Sequence, residues 1–143
     1  MEKRILFLCT GNSCRSQMAE AWTNHIKKGT FEAYSAGISP KGVDPRAVKV
    51  MTEAGLDISG QASKDIDSFG DMEFDYVVTL CDNANEACPF FPAKTRLLHR
   101  GFDDPPALAE GIQNEEAALD HYRRVRDEIK TFVEDLQDHL DKD

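Results

Sequence analysis

The chain has 143 residues, of which 41% are hydrophobic and 30% charged, with a formal net charge of −9. That is the composition of a soluble globular protein long enough to bury one core, and a single domain over 1–143 is expected. No apolar stretch reaches the length of a membrane span, and the acidic balance argues against nucleic acid and anionic membrane as partners.

The first apolar run leads into a cysteine and lacks a small-residue cleavage site. It therefore reads as a core strand from about Arg4 to Leu8, buried on both faces, and not as a signal peptide. A helix is expected from about Ser13 to Lys28, with Met18, Trp22, His25 and Ile26 on its inner face and Gly29 ending it. Phe31–Ser35 reads as a short strand, with Gly37 turning the chain. Asp44-Pro45 is a cap followed by proline at the first helical position, and the helix should run to Ala54 with Ala47, Val48, Met51 and Ala54 inward. Asp75–Leu80 is the clearest central strand, and a weaker one lies near Thr95–Leu98. The last helix starts near Glu115 and carries Ala118, Tyr122, Val125, Ile129, Phe132, Val133, Leu136 and Leu140 at helical spacing, as core packing.

Alternating strands and helices imply right-handed crossovers and a parallel sheet covered on both sides. Ligands of such sheets bind at the carboxyl edge, where the strand order reverses. Cys9 ends the first strand, Cys81 follows the strand Asp75–Leu80, and Gly101-Phe102-Asp103-Asp104-Pro105 follows the weak strand. All three should meet at one edge.

Cys9 through Arg15 reads Cys-Thr-Gly-Asn-Ser-Cys-Arg: a strand end, a tight polar loop, and an arginine where a helix begins. The N–H groups of such a loop and helix start favour an anion, and Arg15 can hold two oxygens at once. The same positive field is expected to depress the pKa of Cys9 and provide a thiolate at neutral pH. The plainer alternative is a buried strand-end cysteine beside an ordinary turn. Of the four cysteines, Cys9/Cys14 and Cys81/Cys88 are spaced too widely for a usual zinc site and have no histidine at ligand spacing, so no metal is expected there.

The stretch from Cys9 to Glu20, together with Tyr34-Ser35-Ala36-Gly37, Asp57-Ile58-Ser59, Val77-Val78-Thr79-Leu80-Cys81, Cys88-Pro89, Gly101–Pro105 and Arg124–Ile129, resembles the thioredoxin-coupled arsenate reductases of the low-molecular-weight protein tyrosine phosphatase superfamily. The resemblance covers nearly the whole chain. It implies an α/β three-layer fold with a four-stranded parallel sheet flanked by helices. It also implies an oxidoreductase that turns arsenate into arsenite.

In the implied cycle Cys9 attacks arsenate held by Thr10, Gly11, Asn12, Ser13, Cys14 and Arg15. Asp104, the acid before the proline, protonates the departing oxygen, and Ser16 supports the thiolate. Cys81 then attacks Cys9, arsenite leaves, Cys88 attacks Cys81, and thioredoxin reduces the Cys81–Cys88 bond. No bound cofactor is implied, only reduced thioredoxin as electron donor, with phosphate or sulfate as competing oxyanions. A cytoplasmic monomer is expected. A phosphatase acting on phosphate monoesters is the alternative, and a thiol sensor without turnover is a third class.

Asp82 reads as a helix cap, and regular helix from Cys81 to Cys88 would separate them by about 10 Å. A disulfide needs its Cα atoms within about 7 Å, so that segment should unwind when the bond forms. Asn12 is expected to brace a left-handed turn, and Cys14 to be structural. Asn12, Glu20 and Ser35 match a monovalent-cation region of some relatives, where Ala62 and Lys64 stand in place of further oxygen ligands. Lys64 paired with Glu20 would replace the ion. Arg100 stands where relatives often carry tryptophan, leaving open whether it faces the site or solvent.

Overall fold

The computed structural model describes residues 2–81 and 94–141. Four strands, β1 (Lys3–Cys9), β2 (Phe31–Gly37), β3 (Tyr76–Thr79) and β4 (Arg96–His99), form one sheet in the order β2-β1-β3-β4. All neighbouring pairs are parallel. The described helices are α1 (Arg15–Ile26), α2 (Pro45–Glu53), α3 (Pro105–Ala109), α4 (Glu115–Glu134) and α5 (Leu136–Asp141), with a 3₁₀ turn over Ile66–Phe69. Among the described residues no helix is long and apolar enough to cross a membrane.

β1 carries Ile5 through Cys9 fully inside, as expected for the centre of a doubly covered parallel sheet. Its alternation divides the core. Ile5 and Phe7, with Val78 and Leu80, pack against Met18 and Trp22 of α1, Val50 and Met51 of α2, and Leu119, Val125 and Ile129 of α4. Leu6 and Leu8, with Ala36 and Val77, join Cys9 and Cys81 on the other face. There Tyr34, Phe69 and Phe74 meet edge to face with centroids 5.5–5.7 Å apart, the arrangement ring quadrupoles prefer. The chain leaves β1 for one side of the sheet and reaches β3 on the other. The loops after β1 and β3 therefore flank the point where strand order reverses, which places Cys9 and Cys81 together.

Several expectations change. Burial along α1 stops at Thr23, so His25 is exposed and lies off the core face. α2 ends at Glu53 with Ala54 as its exposed cap, and Val50 takes the inward place expected of Ala54. Gly37 is the last residue of β2, paired with Cys9, and not a turn. The final helix breaks at Asp135, whose N–H caps α4 by reaching the Thr131 and Val133 carbonyls. Leu136 and Leu140 remain buried beyond the break, so the apolar spacing gave no sign of it.

Candidate active site

α1 begins without a side-chain cap, since Cys14 makes none. The loop before it is held through its carbonyls, by the segment 39–44 and by α1 itself. Thr10 O accepts from Ser39 N at 2.8 Å, Gly11 O from Lys41 N at 2.9 Å, Ser13 O from Asp44 N at 2.9 Å and Cys14 O from Met18 N at 3.0 Å. Asn12 O accepts from Gln17 Nε2 at 2.9 Å. Among the described residues, none of the N–H groups from Gly11 to Arg15 has an acceptor. Five consecutive donors left open at an uncapped helix start make an anion site.

Arg15 points the same way. It is only 9% exposed, yet its Nε has no partner. Its other nitrogens are engaged, one donating to Phe102 O at 3.0 Å and one 3.5 Å from Asp104 Oδ1. An unpaired guanidinium N–H in such a place is unfavourable by about 1–3 kcal/mol unless a ligand meets it. Cys9, Gly11, Ser13, Arg15 and Asp104 line a cavity of about 250 Å³, with Cys14 deep in its wall. Asp104 stands at the N-cap of α3 but makes no cap bond, leaving its carboxylate at the cavity. Asp103 is tied away to Arg124 at 3.0 Å.

Asn12 lies fully buried with φ 46°, in the left-handed region. Its Nδ2 donates to Ser16 Oγ at 2.8 Å, and its Oδ1 accepts from Lys64 N at 2.7 Å and Gln17 Nε2 at 3.0 Å. Beneath it Gly37 comes so close that a Cβ there would lie 2.8 Å from Thr10 O and 2.9 Å from Asn12 N. Only glycine permits that approach. Neither Gly37 nor the outer strap through Ser39, Lys41 and Asp44 belonged to the expected site. The close approach follows from the pairing of Gly37 with Cys9, a register that only the folded sheet shows.

Cys9 Sγ and Cys81 Sγ are 3.7 Å apart, with Cys9 donating, and Thr10 Oγ1 lies 3.2 Å from Cys81 Sγ. This overturns the expectation of a depressed Cys9 pKa. The hydrogen bond to Cys81 and burial push the thiol well up, and Arg15 and the Thr10 N–H offset them only in part. Burial likewise pushes Cys14 up, with Asp44 adding to the effect. Cys88 and the segment 82–88 lie outside the described residues.

In the cation region, Glu20 Oε1 accepts from Ser35 Oγ at 2.6 Å. The Lys64 ammonium lies 3.7 Å from Glu20 and donates to Ala62 O at 2.7 Å. Among the described residues no group of three or more His, Cys, Asp or Glu could hold a metal ion. Arg100 faces neither the cavity nor open solvent alone. Its guanidinium lies 4.4 Å from the Phe102 ring centroid and 5.8 Å from that of Phe132, against the acid loop. His99 Nδ1 meets Thr79 Oγ1 at 2.8 Å, and His139 packs on Phe132.

Residues 4–143 match the low molecular weight phosphotyrosine protein phosphatase family. The chain is 52% identical over 137 residues to an arsenate reductase of Halalkalibacterium halodurans, covering 93% of this chain and 96% of that one. It is 51% identical over 139 residues to an arsenate reductase of Bacillus subtilis, covering 94% and 98%. The solved structure of an arsenate reductase in its phosphate-binding state superposes with a TM-score of 0.76 at 32% identity, over 96% of this chain and 98% of the other. The chain belongs to the low molecular weight phosphotyrosine protein phosphatase family, among its arsenate reductases.

Proposed function

We propose that this chain, acting as one domain over 1–143, reduces arsenate to arsenite through Cys9, Cys81 and Cys88, with thioredoxin as the electron donor. One observation carries the reading: two thiols meet at 3.7 Å beside an anion cradle whose donors are open. A hydrolase of phosphate esters needs one sulfur there. A reductase needs two.

Cys9 starts as a thiol held against Cys81. Arsenate enters between the loop N–H groups and Arg15 Nε, and the Cys9 proton passes to an oxyanion oxygen. The thiolate, supported by Ser16, attacks arsenic while Asp104 protonates the departing oxygen, which leaves as water. Cys81 then attacks the Cys9 sulfur. The electron pair of the sulfur–arsenic bond stays on arsenic, which falls from pentavalent to trivalent and departs as arsenite. Cys88 attacks Cys81, releases the Cys9 thiolate, and leaves a disulfide for thioredoxin to reduce. Thiols that must return to the reduced state suit the cytoplasm.

In the same reading the Lys64 ammonium, between Glu20 and Ala62 O, takes the place of a monovalent cation. Activity should then be equal in potassium and sodium, and a strong stimulation by potassium alone would defeat that assignment. The placement of Asp104 beside the cradle also favours slow hydrolysis of phosphate monoesters as a side activity.

The decisive experiment incubates reduced protein with arsenate, quenches in acid and digests. A peptide linking Cys81 to Cys88, with one arsenite released per disulfide, is expected. Steady hydrolysis of an aryl phosphate without any disulfide would replace the reductase with a phosphatase.

A further inference from the structure

Lys41 lies in the strap outside the cradle, on a segment to which the reaction above gives no task. Three observations single it out. Its N–H donates to Gly11 O at 2.9 Å, fixing its backbone to the loop. Its stem lies over Gly11 so closely that a Cβ on Gly11 would be 3.3 Å from Lys41 Cδ and 3.4 Å from Cγ. It also lines the same cavity as Cys9, Arg15 and Asp104.

The charges around it are already matched. The chain carries 26 acidic residues against 17 lysines and arginines, and the other basic side chains at the site are paired. Arg15 faces Asp104, and Lys64 faces Glu20. The Lys41 ammonium makes no ion pair with a described residue, although carboxylates are abundant. A side chain anchored by its backbone and stem at the mouth of an anion cavity, with its charge unspent, is placed to meet the anion's outward oxygen.

We infer that Lys41 is a substrate-binding residue that selects free inorganic oxyanions over their esters. An inorganic tetrahedral anion seated in the cradle turns one oxygen toward the cavity mouth. An ester turns its carbon substituent there. The ammonium gains an opposite charge from the first and an apolar neighbour from the second, so the same residue favours one and disfavours the other. The inference deepens the reductase reading and rests on it for the identity of the preferred anion.

Lys41→Met keeps the stem over Gly11 and removes the charge. Inorganic phosphate, which the thiols cannot reduce, is titrated calorimetrically into the reduced chain. At low salt the variant should bind phosphate about three- to fivefold more weakly, the range for a partly exposed charge contact. The difference should shrink at high salt, and Lys41→Arg should restore most of it. Lys49→Met on α2 makes the same change in net charge away from the cavity and should bind as the unchanged protein does. The KM for arsenate should rise with the loss of phosphate affinity, while kcat/KM for an aryl phosphate should not fall. Equal phosphate binding by Lys41→Met and the unchanged chain would overturn the inference, and so would an equal loss in Lys49→Met. A chain that binds phosphate in this pattern yet reduces no arsenate would defeat the reductase reading and leave Lys41 in place.

Discussion

The cradle loop and the acid loop face each other across one cavity, yet they are built from different forces. From Thr10 to Cys14 the cradle is held by backbone hydrogen bonds and by the fully buried Asn12, with Gly37 pressed against it. The acid loop starts on two backbone bonds to the end of β3, Arg100 N to Thr79 O at 2.9 Å and Phe102 N to Leu80 O at 3.1 Å. Its side chains and far end are held by cations: Arg15 on Phe102 O, Arg124 on Asp103, and Arg100 over Phe102. Buried neutral hydrogen bonds barely respond to salt, whereas exposed ion pairs are screened by it. The difference suits the chemistry. The proposed oxyanion cradle is braced along its whole length by backbone bonds, and the Asp103-Asp104 end of the loop with the proposed acid relies on ion pairs.

The comparison breaks most visibly at Gly37. Gly37→Val would drive a side chain into Thr10 O and Asn12 N and should lower stability by about 3–4 kcal/mol in chemical denaturation, abolishing phosphate binding as well. On the opposite loop Asp104→Asn should leave the melting temperature nearly unchanged while slowing arsenate-driven disulfide formation about 100-fold, read in a single turnover. Equal losses of stability at the two positions would erase the distinction. Asn12→Ala strips partners from Ser16, Gln17 and the Lys64 N–H and puts alanine at φ 46°, at an expected loss of about 2 kcal/mol.

Alkaline pH should also act through the cradle. Cys9 and Cys14 are raised above the ordinary 9.0, so the folded protein keeps both protons while the unfolded chain releases its own. Their contribution is intact below pH 9 and should fall by about 1.4 kcal/mol per pH unit for each thiol above it. Cys9→Ala should flatten the slope in denaturation curves of reduced protein between pH 8 and 10. The smallest effect belongs to the acid loop. Arg124→Gln should cost less than about 1 kcal/mol at low salt, and that loss should vanish in high salt.

Much of the fold was legible because apolar runs and caps are local signals. The run into Cys9, Asp44-Pro45 before α2 and the stripe on α4 each announce an element from within a few residues. The break at Asp135 was not legible, because both sides of it keep the same apolar spacing. His25 misled for a related reason: its position repeats that of Met18 two turns earlier, but at the end of α1 Ile26 is the residue that still packs against the core and His25 lies exposed beside it.

Within the site, the sequence alone identified the cysteine, the loop and the arginine of an anion cradle, since all three lie in one short segment where spacing dictates geometry. It also put Cys81 at the same sheet edge, because alternating strands and helices imply parallel strands whose carboxyl ends share one edge. Only the tertiary structure decided the protonation of Cys9, which depends on a sulfur 72 positions away and on burial by the whole core. Only the tertiary structure laid Lys41 over Gly11, tied Asp103 to Arg124, and turned Arg100 onto Phe102. Charge and proton affinity are set by neighbours in space. A linear pattern names the groups, and packing decides their charge and their partners.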